Sequence, residues 1–330
     1  MKLRRRAESV CRVSGVPTIT AEEVDSHRQE LIAYCYRFFG SYADAEDAVQ
    51  ETMLRAWRRA DTFRSDSSTR TWIYSIATNV CLDMRKAPSR RALPMDLNGP
   101  GDVPSDNRPL RTRPDESWIG PLPGRFLPQP EDPADAAQQR DSLRLAFVAA
   151  LQTLPVLQRI VLILRDALAW SAAECAELLK TTVPSVNSAL TRARRTLGTK
   201  ALPQRVGTGS DVRTADAYVT AFERYDVDAL VELLSAEAEF SMPPFELWLR
   251  GRLAIREWWR GPGAVCRGSR VVPTSSNGCP AVAVYHPRED GTYGAFAVHV
   301  LDIDDGQITA ITHFMGAGVF GDFELPAEIL

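Results

Sequence analysis

In the stretch TTVPSVNSALTRARRTL, residues 181–197, Ser185, Asn187, Ser188, Thr191, Arg192, Arg194 and Arg195 share one side of a helix, while Val186, Ala189, Leu190, Ala193 and Leu197 share the other. Short hydroxyl and amide groups near a helix start can reach base edges in a duplex groove, and arginines further along can hold phosphates or guanine edges. No acid in the stretch balances its three arginines. This is chemistry of recognition rather than bond making, and it suits a face laid against a polyanion.

The elements that must position these groups are legible just upstream. Ser171 and Glu174 form an S-x-x-E capping box, Ala172, Ala173, Ala176 and Leu179 can pack inward, and a turn at Lys180, Thr181 and Thr182 leads into the basic helix. Thr182 is its expected N-cap, and Pro184 fits the first turn, where a missing N–H costs no intrahelical bond. The pattern is a helix-turn-helix.

A second candidate surface lies within residues 21–92. Ala45, Ala48, Val49, Thr52, Met53, Ala56 and Trp57 recur at helical spacing and predict a core-facing stripe. The opposite face presents Asp47, Gln50, Glu51 and Leu54, an acidic surface with one aliphatic residue, suited to a basic partner helix. The next helix, TRTWIYSIATNVCLDMRK, buries Trp72, Ile73, Ile76, Ala77 and Val80 by its spacing. Its other side offers Arg70, Tyr74, Thr78 and Asn79 and runs into Arg85, Lys86, Arg90 and Arg91. Aromatic and amide groups beside a basic run can hold an unstacked base and its phosphates.

The formal net charge of -3 hides an uneven distribution. From residue 208 onward nine Arg/Lys face eighteen Asp/Glu, and the remainder carries +6. The six cysteines show no metal-ligand spacing, so buried reduced thiols are expected, with neither metal nor cofactor. No run of about 18 apolar residues predicts a membrane span, and no apolar segment follows the basic start MKLRRR to make a signal peptide. The expected compartment is the cytoplasm.

Along the chain, an N-terminal tail (1–20), expected to be disordered, precedes a helical block (21–92). A Pro/Gly-rich flexible linker (93–139) leads to a second helical block (140–202). After a short linker (203–210), residues 211–330 mix helix with strands such as AVAVYH and GAFAVHVLDI.

The two helical blocks, DAEDAVQETMLRAWRRADTFR…TRTWIYSIATNVCLDMRK and LQTLPVLQRIVLILRDALAWSAAECAELL…VNSALTRARRTL, closely resemble regions 2 and 4 of sigma-70-type extracytoplasmic-function sigma factors. The resemblance implies binding to core RNA polymerase, through the β′ clamp helices and the β subunit. It places Asp47, Gln50, Glu51 and Leu54 at the clamp. The segment from Phe63 to Asn79 and the basic end from Arg85 to Arg91 would meet the promoter -10 element, and the helix from Pro184 to Arg195 would read the -35 element.

Residues 211–330 resemble SnoaL-like domains of the nuclear-transport-factor-2-like superfamily, in which helices lid a curved sheet. The fold implied is two all-α sigma domains, a region 2 bundle and a region 4 helix-turn-helix, followed by an α+β cone-shaped barrel. A subgroup of sigma factors carries such a domain, with a Trp- and Pro-containing linker similar to WIGPLPGRFLP here, and Trp118 is then a candidate contact between linker and C-terminal domain.

Groups that could face a ligand cavity are Trp248, Tyr285, His299 and His313, together with Met242, Trp258, Trp259 and His286. Strand alternation leaves open which of them point inward. Asp302, Asp304 and Asp305 sit around the turn DIDDG, so no acid stands out as a general base and catalysis is not expected. The acidic tail of a basic DNA reader points instead to regulation in cis. A stand-alone helix-turn-helix regulator and a SnoaL-like enzyme with an attached DNA-binding part are the alternatives.

Overall fold

The computed structural model describes residues 20–60, 63, 68–85, 90–104, 109–129, 132–198 and 209–330. Residues 1–19 of the expected tail (1–20), Lys86, and 203–208 of the short linker lie outside them.

The first block folds as α1 (Ala21–Asp25), α2 (Arg28–Phe39), α3 (Tyr42–Arg58) and α4 (Thr69–Met84). Ser41 and Ser68 cap α3 and α4 with their hydroxyls, and α2 stops at Gly40, whose φ of 71° is left-handed. Leu31 to Phe38 are all buried, because α2 is covered by α3 and α4 on one side and by the second block on the other.

The second block is α5 (Pro133–Asp141), α6 (Leu145–Gln152), α7 (Val156–Leu162), α8 (Ala172–Leu178) and α9 (Val183–Leu197). A π turn at Ile163–Ala167 continues α7. Buried arginines cross-pin the two blocks. Arg37 of α2 donates to Ser142 Oγ and Gln139 O, and Arg159 of α7 donates to Phe38 O at 2.7 Å. Burial lowers both guanidiniums to about 10, which leaves them charged at neutral pH.

The Pro/Gly-rich segment does not behave as the expected flexible spacer. Regular structure is confined to short 3-10 turns, yet its backbone polar groups find partners on neighbouring elements. Gly120 N–H donates to Gly40 O and Tyr36 Oη donates to Gly120 O. Gln29 donates to the carbonyls of Arg125 and Leu127, and Phe126 stacks on Tyr42 with ring centroids 5.2 Å apart. Its last expected residues already belong to α5.

The C-terminal part comprises α10 (Gly209–Arg224), α11 (Val227–Glu232), β1 (Leu234–Ser241), β2 (Trp248–Arg250), α12 (Arg252–Arg260), β3 (Arg270–Ser276), β4 (Cys279–Pro287), β5 (Tyr293–Asp304), β6 (Gln307–Met315), α13 (Gly318–Asp322) and β7 (Glu328–Ile329). The strand order is β2-β1-β6-β5-β4-β3, with β7 added to β5. β1 and β6 are parallel and the other pairs antiparallel. The edge strands β2 and β3 do not pair with each other, so the SnoaL-like sheet implied by the resemblance is open along that edge.

The two faces of the sheet serve different cores. Phe240, Val282, Val284, Leu301 and Ile311 pack with Tyr218, Phe222, Trp258 and Trp259 of α10 and α12. On the opposite face Ala281, Ala283, Tyr285, Val298, Val300 and Phe314 join one apolar core that runs on through α2, α4, α6 and α9. The C-terminal domain is thus packed against both helical blocks.

Candidate nucleic-acid interface

The helix-turn-helix forms as its caps dictate. Ser171 Oγ accepts from Glu174 N–H while the Glu174 carboxylate accepts from Ser171 N–H, and Thr182 Oγ1 accepts from Ser185 N–H. Within α8 the inward residues are Cys175, Ala176 and Leu178, whereas Ala173 is exposed, a shift around the helix from the expected face.

Val186, Ala189, Leu190, Ala193 and Leu197 of α9 are buried, and Asn187, Ser188, Thr191, Arg192, Arg194 and Arg195 are exposed, with Ser185 half-buried in the first turn. Arg192 donates to Ser188 Oγ at 2.7 Å. Arg194 is held by the Asp166 carboxylate through two bonds of 3.0 and 2.6 Å, so one of the three arginines has an acid from outside the stretch.

The face expected on α4 is divided. Asn79 is exposed, but Tyr74 and Thr78 are buried, which corrects their assignment to an open surface. Thr78 Oγ1 lies 2.8 Å from Tyr34 Oη, and Tyr74 is packed between Tyr34 and Trp170, with centroids at 5.2 and 5.1 Å. The Arg70 guanidinium lies over both rings, 5.4 Å from Tyr74 and 5.3 Å from Trp170. The reason is that α4 has two covered sides, one in its own bundle and one under the second block.

Of the basic run, Arg85 and Arg90 are exposed. Arg91 is engaged with Asp44 at 2.7 Å and with the carbonyls of Asp115 and Trp118, so it fastens the linker rather than facing outward.

On α3, Asp47 and Gln50 are exposed, and Glu51 pairs with Arg55 at 2.7 Å. Leu54 is 48% exposed and Trp57, expected in the core, is 72% exposed. With Val24, Met53 and Ala60 they line an open groove of about 250 Å³. The i, i+3 spacing of Leu54 and Trp57 was the signal for this patch, obscured because Trp57 also fits the core stripe.

Trp118 is buried, but its recorded hydrogen bonds stay within the linker and its flanks: its indole donates to Arg113 O and its backbone bridges Ala92. The indole that joins linker to C-terminal domain is Trp248, which donates to Asn98 O at 2.9 Å while its own carbonyl accepts from Gly101 N–H. Trp248 is therefore a linker anchor rather than a cavity group. Tyr285 lies on the sheet face opposite the histidines, packed on Phe320 and bonded to Pro326 O.

His299 and His313 do face the domain interior. Their rings stack 3.4 Å apart and nearly parallel, His299 Nδ1 meets Tyr218 Oη at 3.0 Å, and Phe222 and Phe240 close around them. Burial holds both imidazoles below their ordinary value, His313 at about 3, and the His313 ring adds to the effect on His299.

Both rings are neutral when folded at pH 7, whereas unfolded histidines take up protons near 6.5. Stability is therefore complete above that value and falls as pH drops, by about 1.4 kcal/mol per histidine per pH unit, until the folded values are reached. Between pH 6.5 and 5 the full chain is expected to lose about 3 kcal/mol from this pair. A chain carrying His299→Phe and His313→Phe should show a flatter profile in denaturant titrations, and equal slopes would contradict the assignment.

Comparison with known proteins agrees with the geometry. Residues 24–91 match Sigma-70 region 2, residues 144–197 match Sigma-70, region 4, and residues 215–311 match the SnoaL-like domain. The ECF RNA polymerase sigma factor SigG of Mycobacterium tuberculosis is 41% identical over 312 residues, covering 92% of this chain and 83% of that protein. SigJ of the same organism is 28% identical over 230 residues, covering 66% and 63%.

The crystal structure of Mycobacterium tuberculosis SigJ has the same fold, with a TM-score of 0.61 and 22% identity over 93% of this chain and all of that one. Two sigma regions in order, a helix-turn-helix and near-full-length similarity to SigG together show that this chain belongs to the ECF RNA polymerase sigma factors, with a SnoaL-like domain at its C-terminal end.

Proposed function

We propose that this sigma factor docks on core RNA polymerase through Asp47, Gln50, Glu51, Leu54 and Trp57. In this reading it recognises the -35 element with the exposed face of α9 and engages the -10 element with Arg70, Asn79, Arg85 and Arg90, and its compact arrangement is a resting state maintained in cis by the SnoaL-like domain. The work is that of a cytoplasmic transcription factor.

The observation that carries the regulatory part is the placement of Trp170. This region 4 indole sits against Tyr74 and under the Arg70 guanidinium, on the α4 side where an unstacked base would need an aromatic platform and a cation. Promoter elements lie in succession along a duplex that rises 3.4 Å per base pair, so regions 2 and 4 must separate to read both. The sheet's outer face, continuous with the cores of both regions, favours the closed form.

The domain's interior supports regulation rather than catalysis. Among the described residues after 208 no carboxylate is fully buried, and the interior histidines are neutral rings among aromatics.

In vitro transcription tests the reading. With bacterial core polymerase and a genomic fragment library, the full chain is expected to direct transcripts from a shared two-element promoter. A version ending at Val206 is expected to do so with roughly tenfold higher polymerase affinity, which corresponds to about 1.4 kcal/mol of closure lost. Equal or lower affinity for the shorter version would remove the regulatory part and leave promoter recognition standing.

A further inference from the structure

An Asn-Gly pair between two strands ordinarily makes a hairpin turn that projects into water, because both residues adopt positive φ cheaply and the asparagine amide is solvated. The β3–β4 turn has the backbone of such a hairpin, with φ of 55° at Asn277 and 74° at Gly278. Its position is unusual: Ser276 and Asn277 are completely buried.

The Asn277 side chain spends its amide almost entirely outside its own hairpin. Its Nδ2 donates to Tyr36 Oη at 2.6 Å and to Leu143 O at 2.7 Å. Its Oδ1 accepts from Leu122 N–H at 2.8 Å and from Ser276 Oγ at 2.9 Å. The backbone N–H adds a bond to Leu122 O, and the single Ser276 hydroxyl proton is shared between that carbonyl and Asn277 Oδ1. One side chain thus reaches α2 of region 2, the segment just before α6 of region 4, and the linker, using both donors and both lone-pair sites.

The seat is sterically matched. A Cβ on Gly278 would lie 2.4 Å from Arg140 Cγ and 3.0 Å from Arg140 O, and a Cβ on Gly124 would lie 3.0 Å from Ser275 O. Either glycine therefore lets backbone or stem approach the turn where any side chain would hold it away.

We infer that the β3–β4 hairpin tip, through Asn277, is the latch that holds region 2, region 4 and the linker in the closed arrangement, and that withdrawal of this tip is the step by which the SnoaL-like domain releases the sigma regions. This rests on the reading of the compact arrangement as the resting state. The hairpin's own strands are already paired from Arg270–Tyr285 to Ser276–Cys279, so the turn's buried amide adds little that β3 and β4 need for themselves.

Hydrogen exchange on the full chain tests the latch with two variants. Asn277→Asp keeps the shape and the acceptor atoms but removes the donor to Tyr36 and Leu143. Asn277→Gly keeps the positive φ and deletes every side-chain bond. Both are expected to raise exchange in residues 118–127 and in α4 by roughly tenfold or more, as loss of buried bonds requires, while β3 and β4 stay protected.

Unchanged exchange in residues 118–127 in both variants would overturn the latch. So would loss of protection in β3 and β4 in both, which would make Asn277 a residue of the hairpin's own folding. Faster exchange at 118–127 with unaltered polymerase affinity would uphold the latch and instead reject the closed arrangement as an inhibited state.

Discussion

Replacing Leu54 and Trp57 together with alanine is expected to weaken binding to core RNA polymerase about a hundredfold, the loss of about 2.7 kcal/mol typical of a small aromatic and aliphatic hot spot. Among the described residues Leu54 is 48% and Trp57 72% exposed on α3, and Asp47 and Gln50 beside them supply a polar rim. Because the removed atoms are exposed, the fold should keep its melting temperature within a degree or two, separating a docking defect from unfolding. Asp47→Ala alone should act mainly on association rate and salt dependence. Titration of labelled chain against core polymerase checks both, and wild-type affinity in the double variant would place the docking surface elsewhere.

The second large effect concerns Arg144, which opens α6 and reaches into the C-terminal domain. Its Nε bonds Asp141 at 3.0 Å and its Nη1 bonds Asp302 at 2.6 Å, with Cys279 Sγ at 3.6 Å. The group borders a cavity of about 400 Å³ between α6 and the outer sheet face. Arg144→Met is expected to destabilise the full chain by about 3 kcal/mol, since it removes the buried guanidinium that faces both carboxylates.

Removing all three charges, with Asp141→Asn and Asp302→Asn added, should recover most of that loss, because a buried ion pair stabilises little over neutral packing. Denaturant midpoints give the comparison. A triple variant as unstable as the single one would assign the cost to lost packing of the arginine stem instead.

Much of this organisation is legible in the sequence where one side of an element is wet. The inward residues of α9 follow from its spacing because its other face meets water, and the Ser171/Glu174 and Thr182 caps follow from local chemistry alone. Tyr74 and Thr78 were not separable from Arg70 and Asn79, since α4 is covered on two sides and no single stripe describes it. Trp57 fits the periodicity of a core it does not enter: in the last turn of α3 Ala56 is buried and Arg55 pairs with Asp83 of α4, while Trp57 stands on the outer side.

The linker's order is invisible locally. Its polar groups are satisfied by Gln29, Tyr36, Trp248 and Asn277, residues 84 to 155 positions from their linker partners in sequence and tied to them only by the fold. Alternation in β4 and β5 gave the period but not its phase, so Tyr285 and the histidines became distinguishable only when the two sheet faces met different cores.

The apolar core that passes through region 2, region 4 and the sheet's outer face makes separation of the parts resemble partial unfolding in its thermodynamics. Exposing that seam to water would give the opening equilibrium a positive heat-capacity change, as any exposure of hydrocarbon does. The closed form should then be held most firmly at an intermediate temperature and relax on both cooling and heating. Access to promoters would acquire a temperature dependence of its own, set by hydration of the seam and independent of any ligand.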